Sequence, residues 1–293
     1  MKFLREYIKD AQVRKVAIGH FNISNVEGVW AVFNAARKLS VPVIIGVSEG
    51  ERSFVGVNQV VALVKSLRDE FNFPIFLNAD HTYSFDKVKE AIDAGFDSVI
   101  FDGTELPFEE NVQITKQCVA YAKSKKPFFG ERVLVEAELG YIGKSSKVLE
   151  AVPEGISLSE ENLVKPDQAK QFAKETGIDF LAPAVGNIHG MFAKGKDPAL
   201  NIKRVAEVAE ATGLPLVLHG ASGNTDADIR AAIEAGVVIV HVNTELRVAF
   251  RGGLDSALSA NPKEIAPYKY LAPARDAMQK VVEEKLRVFN RIS

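Results

Sequence analysis

Five histidines occur in the sequence, His20, His81, His189, His219 and His241, and each falls at or near the carboxyl end of a short β-branched or apolar run. None lies in a helical pattern. Neutral imidazoles brought from different strands can hold a zinc ion while leaving a fourth position open, the arrangement that catalytic Zn2+ needs. His81, His189 and His219, after the third, sixth and seventh runs, form the chosen ligand set. Taken singly, each is better read as a hydrogen-bonded core or loop histidine, so the set carries the reading rather than any one ring. Asp80 stands beside His81 in Leu77-Asn78-Ala79-Asp80-His81, which lets one group meet a metal and the other a substrate. Its alternative role is a helix cap or a prop for a histidine. Asp102, Glu136 and Glu138 add carboxylates at the ends of the fourth and fifth runs. Unpaired inside a protein they would be costly, so some must face a metal, a cation or a Lys/Arg partner. After His219 comes Gly220-Ala221-Ser222-Gly223, then Asn224-Thr225 leading into a helix. Such small residues let backbone N–H groups converge on an anion at a helix start, although glycines there also simply make turns.

The runs that carry these groups are Val16–Phe21, Val43–Val47, Ile75–Ala79, Ser98–Asp102, Val133–Glu138, Phe180–Val185, Leu216–Leu218 and Val237–Val242, with helical patterns between most of them. Eight strand and helix alternations predict a closed parallel (β/α)8 barrel, a TIM barrel, in which the carboxyl ends of the strands form the active-site face. Ala94-Gly95, Thr176-Gly177, Thr212-Gly213 and Ala235-Gly236 each precede a strand, and each glycine suits the left-handed residue that closes a helix. Ser24 with Glu27, Ser84, and Thr225 with Asp228 read as helix starts. Residues 140–165, rich in Gly, Ser, Lys and Glu and without a clear period, are expected to form a long mobile loop on the active-site face. The last helix, Arg275 to Asn290, carries an apolar stripe of Met278, Val281, Val282, Leu286 and Phe289.

One domain spanning residues 1–293 is expected, because 293 residues at 47% hydrophobic content can bury the core of a barrel. Lys plus Arg total 36 against 38 Asp plus Glu, a formal charge of -2, so no strong positive field is present to hold nucleic acid or an acidic membrane. The expected partner is a small molecule. A single cysteine, Cys118, and an amino terminus that mixes charges among its apolar residues point to the cytoplasm. Cys118 lies in a helical pattern and reads as a buried apolar thiol. No apolar run approaches the length that spans a bilayer.

Asp80-His81, Phe101-Asp102-Gly103, Val135-Glu136-Ala137-Glu138-Leu139-Gly140, Ala184-Val185-Gly186-Asn187-Ile188-His189-Gly190 and Val217-Leu218-His219-Gly220-Ala221-Ser222-Gly223 occur in an order that resembles the motif set of class II fructose-bisphosphate and tagatose-bisphosphate aldolases. The likeness runs from about Ala17 to Phe289. It implies that His81, His189 and His219 bind catalytic zinc, that Asp80 transfers a proton, and that Asp102 with Glu138 forms a second divalent position. It also implies that Gly190, Gly220, Ala221, Ser222, Asn243 and Thr244 hold the phosphate of dihydroxyacetone phosphate, with a monovalent cation, Na+ or K+, nearby. Asn22 and Ser48 match positions near the substrate. The family is usually a homodimer or homotetramer in which a neighbour's arginine reaches the second phosphate, and Arg251 and Arg275 are the arginines assigned to that task.

Two departures stand out. His241 occupies a place where the family has Asn, and its Nδ1–H is expected to replace the amide as a donor to the enediolate oxygen. The loop Tyr141-Ile142-Gly143-Lys144-Ser145-Ser146 lacks the family's Gly-Gly-acidic run, which leaves the base for the C1 proton unassigned. The implied reaction is the reversible cleavage of fructose 1,6-bisphosphate, with the tagatose epimer as its alternative and a catalytically dead sugar-phosphate-binding barrel as the non-enzyme reading. A Schiff-base mechanism needs a buried lysine at a strand end, and a metal-dependent barrel hydrolase an early His-x-His pair; the sequence offers neither.

Overall fold

The protein is described by a computed structural model covering residues 2–125, 131–143, 147–150, 160, 163–193 and 198–292. Eight parallel strands close a barrel: β1 (Ile18–Asn22), β2 (Val43–Val47), β3 (Ile75–Thr82), β4 (Ser98–Phe101), β5 (Leu134–Leu139), β7 (Phe180–Pro183), β9 (Leu216–Leu218) and β10 (Val237–Val242). They follow one another around the ring in chain order, with β1 pairing both β2 and β10. Among the described residues two further strands, β6 (Val148–Leu149) and β8 (Met191–Phe192), pair with each other outside the ring.

Every barrel strand is buried on both faces, which is why the runs read as continuous apolar stretches rather than as alternations. The alternation shows instead in which core each residue joins. Outward residues such as Val43, Ile45, Leu77, Val135, Leu181 and Val240 belong to the large core beneath the helices. Inward residues Ile18, Ile44, Phe76, Leu134, Phe180, Val217 and Ile239 form a second core inside the barrel. Helix α1 (Leu4–Arg14) closes that second core from the amino-terminal end with Leu4, Ile8 and Ala11. Two residues further along five of the strands the inward positions turn polar: Ile18 is followed by His20 and Asn22, Phe76 by Asn78 and Asp80, Leu134 by Glu136 and Glu138, Val217 by His219, and Ile239 by His241. All of these polar groups are buried. The period of two thus stacks an apolar layer at the bottom of the barrel and a polar one at its mouth.

The helix ends largely match the sequence signals. Ser84 and Thr225 cap α5 (Phe85–Ala94) and α9 (Asp226–Ala235), but α2 (Val26–Leu39) is capped by Asn25 rather than Ser24, its side chain accepting from Gly28 N at 2.8 Å. The loop expected at 140–165 falls largely outside the described residues. Its described part is tied down, with β6 paired to β8 and Ile142 O accepting from His189 N at 2.9 Å. Helix α11 spans Pro267–Asn290 and continues through Pro273, so it begins well before Arg275. Cys118 is fully buried in α6 (Phe108–Ser124), and burial pushes its thiol up to about 12. No helix among the described residues is long and apolar enough to cross a membrane.

Candidate active site

A bulge at the end of β3 creates the centre of the site. Pairing with β4 passes from Ala79↔Val99 to Thr82↔Phe101, three steps on one strand against two on the other. His81 takes up the extra residue with φ +38, a left-handed conformation that is costly for a side chain of this kind. In a regular strand Asp80 and His81 would face opposite ways; the bulge lets both reach the same cleft. That cleft is lined by Asn22, Asp80, His81, His189, Gly190, His219, Gly220, Ser222, His241, Asn243 and Thr244.

Four donors converge within it. One ligand atom each from His81, Glu138, His189 and His219 lies within 4.8 Å of the others. Glu138 Oε1 is 3.0 Å from His81 Nδ1 and 3.5 Å from His219 Nδ1. His189 Nε2 and His219 Nδ1 are buried and meet no hydrogen-bond partner in the protein. Buried imidazole nitrogens without partners are what a metal would satisfy, so three histidines and a carboxylate fit a zinc-type ion by donor chemistry. The outer partners also fit: Glu136 Oε1 lies 2.8 Å from His219 Nε2 and leaves Nδ1 for the centre. Asp102 Oδ2 lies 3.1 Å from His81 Nδ1, and Asp102 is itself held by Thr104 through Oγ1 at 2.7 Å. Burial, and after it the charge on His81, lowers His189 to about 3, so its imidazole is neutral at neutral pH, the form that a metal takes. Burial lifts Glu138 to about 7, with Asp102 adding to the rise.

Asp80 has two differently engaged oxygens. Oδ2 accepts from Asn22 Nδ2 at 2.8 Å, while Oδ1 lies 3.5 Å from His241 Nδ1 and 3.9 Å from His81 Nε2, with no hydrogen bond of its own. Burial would raise its pKa, but the surrounding rings of His81, His241 and His20 outweigh that and hold the carboxyl well below its usual range. The strand end beneath it is clamped by Arg52, whose NH1 donates to Asp80 O at 2.9 Å and whose NH2 donates to Thr82 Oγ1 at 3.0 Å. Burial, followed by the charge on His20, brings His241 down to about 3. Its Nδ1 lies 3.5 Å from Asp80 Oδ1 without a hydrogen bond, and its buried Nε2 has no protein partner, whereas the expectation from sequence is Nδ1 as the donor.

Three of the rings form a ladder across adjacent strands. His20 and His241 are register partners on β1 and β10, stacked at 3.4 Å with 3° between planes. His241 stacks in turn on His219 at 3.9 Å and 27°. One candidate ligand atom each from His20, Asp80 and His241 also lies within 4.8 Å of the others, but the parallel stacking of the two rings sets their in-plane lone pairs side by side rather than toward one point.

Beyond this centre, Gly220 has φ +61, and a Cβ there would lie 2.1 Å from Ile188 O, so the turn after β9 requires glycine. Ser222 Oγ lies within 3.4 Å of Asn243 N and 3.5 Å of Glu245 N at the start of α10 (Thr244–Ala260), joining that turn to a helix amino terminus. Ala221 is buried just behind it. Ser48 does not line the cleft; it precedes α3 (Glu49–Val55), and its N–H donates to Glu51 Oε2 at 2.8 Å. Arg251 is exposed on α10 and paired with Asp255, and Arg275 pairs with Asp276. Arg247, not singled out from sequence, lines a second hollow that shares Asn22 and Asn243 with the cleft; it reaches Glu51 Oε1 at 2.6 Å. His20 was likewise unassigned, although its place in the polar layer of β1 was open to a period-two count.

Residues 2–292 match the protein family described as fructose-bisphosphate aldolase class-II. A fructose-bisphosphate aldolase of Staphylococcus epidermidis is 39% identical over 98% of this chain and 96% of its own length, and one of Geobacillus stearothermophilus is 40% identical over the same shares. Among solved structures, the YdjI aldolase of Escherichia coli K12 is similar with a TM-score of 0.80 and 31% identity over 98% of this chain and 96% of that one. A whole-chain family match, relatives at this identity and a barrel mouth carrying the matching residues lead to one conclusion: the chain belongs to the class II fructose-bisphosphate aldolase family of lyases.

Proposed function

We propose that this protein cleaves fructose 1,6-bisphosphate reversibly into dihydroxyacetone phosphate and glyceraldehyde 3-phosphate, using a Zn2+ ion held by His81, His189 and His219. The observation that carries the reading is the convergence of these three imidazoles and Glu138 within 4.8 Å, beside an Asp80 oxygen with no hydrogen bond. When bound there, the ion supplies Lewis-acid polarisation of the C2 carbonyl.

The chain's own residues do the rest. Asp80, kept ionised and aimed by Asn22, accepts the C4 hydroxyl proton through Oδ1 as the C3–C4 bond breaks, and returns it in the synthetic direction. His241, in the tautomer that carries its proton on Nε2, donates that N–H to the negative charge that develops on the substrate. Gly190, the Gly220–Ser222 turn and the start of α10 at Asn243 and Thr244 bind the phosphate of the dihydroxyacetone half, where backbone N–H groups and the helix dipole favour an anion. The neighbouring hollow, lined by Arg247, offers the distal phosphate a cation from the same chain, while Arg251 and Arg275 keep the role of an arginine reaching in from a neighbouring subunit. Asp102 and Glu138, both at the Nδ1 of His81, support a second divalent position; a monovalent cation completes the expected set. Exposed Val248 and Leu258 on α10, Ile265 in the connection and Tyr268 at the start of α11 favour a homo-oligomer, and the family likeness supports a cytoplasmic location.

The test is turnover of zinc-loaded protein on fructose 1,6-bisphosphate and tagatose 1,6-bisphosphate in parallel. Faster cleavage of the fructose epimer supports the reading. Preference for tagatose corrects the substrate, and tight sugar-phosphate binding with no cleavage of either would make the protein a dead barrel.

A further inference from the structure

We propose that His20 is a positioning residue for His241: its imidazole is the fixed wall that sets the plane of the His241 ring at the mouth of the barrel. The two residues are direct partners on β1 and β10, and their rings lie 3.4 Å apart and 3° from parallel. His20 is fully buried and its own setting is built for it. On its other side lies Gly46 of β2, where a Cβ would stand 2.0 Å from His20 Cε1, so the ring occupies the space that a side chain at 46 would take. At its edge, His20 Nε2 meets Asn78 Oδ1 at 3.1 Å, and Asn78 Nδ2 donates to Ser98 Oγ at 2.7 Å. Four adjacent strands thereby hold one imidazole in place: β1 supplies it, β2 makes room, and β3 and β4 anchor its edge.

His20 has no surface in the cleft, so its effect on chemistry must pass through the ring it touches. An imidazole is longer and heavier than the asparagine amide that the resembling family carries at position 241, and it sweeps a larger arc about its two side-chain torsions. Sandwiched between His20 and His219, the His241 ring is confined to one plane, with Nδ1 3.5 Å from Asp80 Oδ1 and Nε2 without a protein partner. Without His20 a ring-sized gap opens behind it, and the ordering of that ring must be achieved at each turnover. The inference rests on the reading that His241 touches the substrate.

The experiment is a double-mutant cycle of His20→Ala and His241→Ala on the zinc-loaded enzyme, with His20→Phe as the variant that restores a flat ring without the nitrogen. His20→Ala is expected to lower kcat on the order of 10-fold or more, with KM and zinc content within about 2-fold of the parent. His20→Phe is expected to recover most of that loss, and His20→Ala should add no further loss in the His241→Ala background. An independent readout on metal-free protein is the chemical shift of the His241 ring proton in 13C-histidine-labelled protein, held upfield by the stacked neighbour. His20→Ala should release it downfield, and His20→Phe should keep it upfield. Equal losses from His20→Ala in both backgrounds, a fall in zinc content, or an unmoved His241 resonance overturns the proposal. If His241→Ala alone turns over like the parent, it is the reading of His241 that fails, whatever the His20 ring does to the shift.

Discussion

At Asp80 the two carboxylate oxygens are engaged differently: Asn22 holds Oδ2, and Oδ1 has no hydrogen bond. Asp80→Ala is therefore expected to keep the metal yet reduce turnover by roughly 100-fold or more, the scale for losing a placed proton-transfer group. Zinc loss with little further kinetic effect would make Asp80 a support for His81 instead. At His241, an N–H donor of similar reach should suffice, so His241→Asn is expected to keep most activity, whereas His241→Ala should lose roughly 10- to 1000-fold in turnover with zinc unchanged. Parent-like turnover of the Ala variant would make His241 packing. Loss of zinc would make it a ligand, against the parallel stacking on His20. Two groups of the metal cluster hold protons at higher pH than usual. Glu138 is pushed up to about 7 by burial and Asp102, and in His81 the carboxylates of Asp80, Glu138 and Asp102 outweigh burial and raise it well above its ordinary value. Both must release a proton to ligate, so apparent zinc affinity is expected to increase from pH 6 to pH 8 with proton uptake by the buffer, measured calorimetrically in two buffers. Affinity that is flat or falling over that interval would contradict the assigned ligands.

Elements at the opposite end of the barrel hold the frame and not the chemistry. Asp179, just before β7, accepts from Val135 N at 2.8 Å, from Arg132 NH2 at 2.6 Å and from Arg5 NH2 of α1 at 2.8 Å. Asp97, before β4, does the same for Leu77 N and Arg68. Because Arg132 and Arg5 are partly exposed, Asp179→Ala is expected to destabilise by roughly 2 kcal/mol in denaturant unfolding while kcat stays near the parent value. A comparable loss of kcat would mean that the barrel bottom communicates with its mouth. Much at this scale was legible in the sequence: Val43–Val47, Leu216–Leu218 and Val237–Val242 have the bounds their β-branched runs indicated, because strands buried on both faces need unbroken apolar residues. Helix α1 was not, since its many charges dilute a stripe of three buried residues, Leu4, Ile8 and Ala11. Pro273 hid the first two turns of α11, as a proline inside a helix reads as a stop. Of the site, His81, His189 and His219 were legible as residue types at or near the ends of strand-like runs, and Glu138 as a metal residue only through the resemblance to the aldolase motifs. The bulge that turns both Asp80 and His81 into the cleft depends on pairing between β3 and β4, and the His20–His241–His219 ladder on which strands are neighbours. Neither relation exists along the chain alone.

Across the whole molecule the barrel runs from an apolar plug of α1 and inward Ile, Leu and Phe side chains to a layer of buried histidines and carboxylates. Burying so many ionisable groups together is unfavourable unless they are paired or ligate a cation, and several of their atoms have no protein partner. The β6 and β8 pair fastens the segment after β5 onto the loop that carries His189, so that this histidine, outside any barrel strand, is held by backbone hydrogen bonds. A fold that stores this much unsatisfied polarity at one end is organised around an ion and an anionic substrate. The most direct measurement is the rate of fructose 1,6-bisphosphate cleavage by protein stripped with a chelator, followed by titration with zinc. Activity is expected to vanish on stripping and return in proportion to added metal, reaching its plateau at about one zinc per chain, with no lysine trapped by borohydride in the presence of dihydroxyacetone phosphate. Full cleavage in excess chelator, or stable reduction onto a lysine, would contradict the metal mechanism.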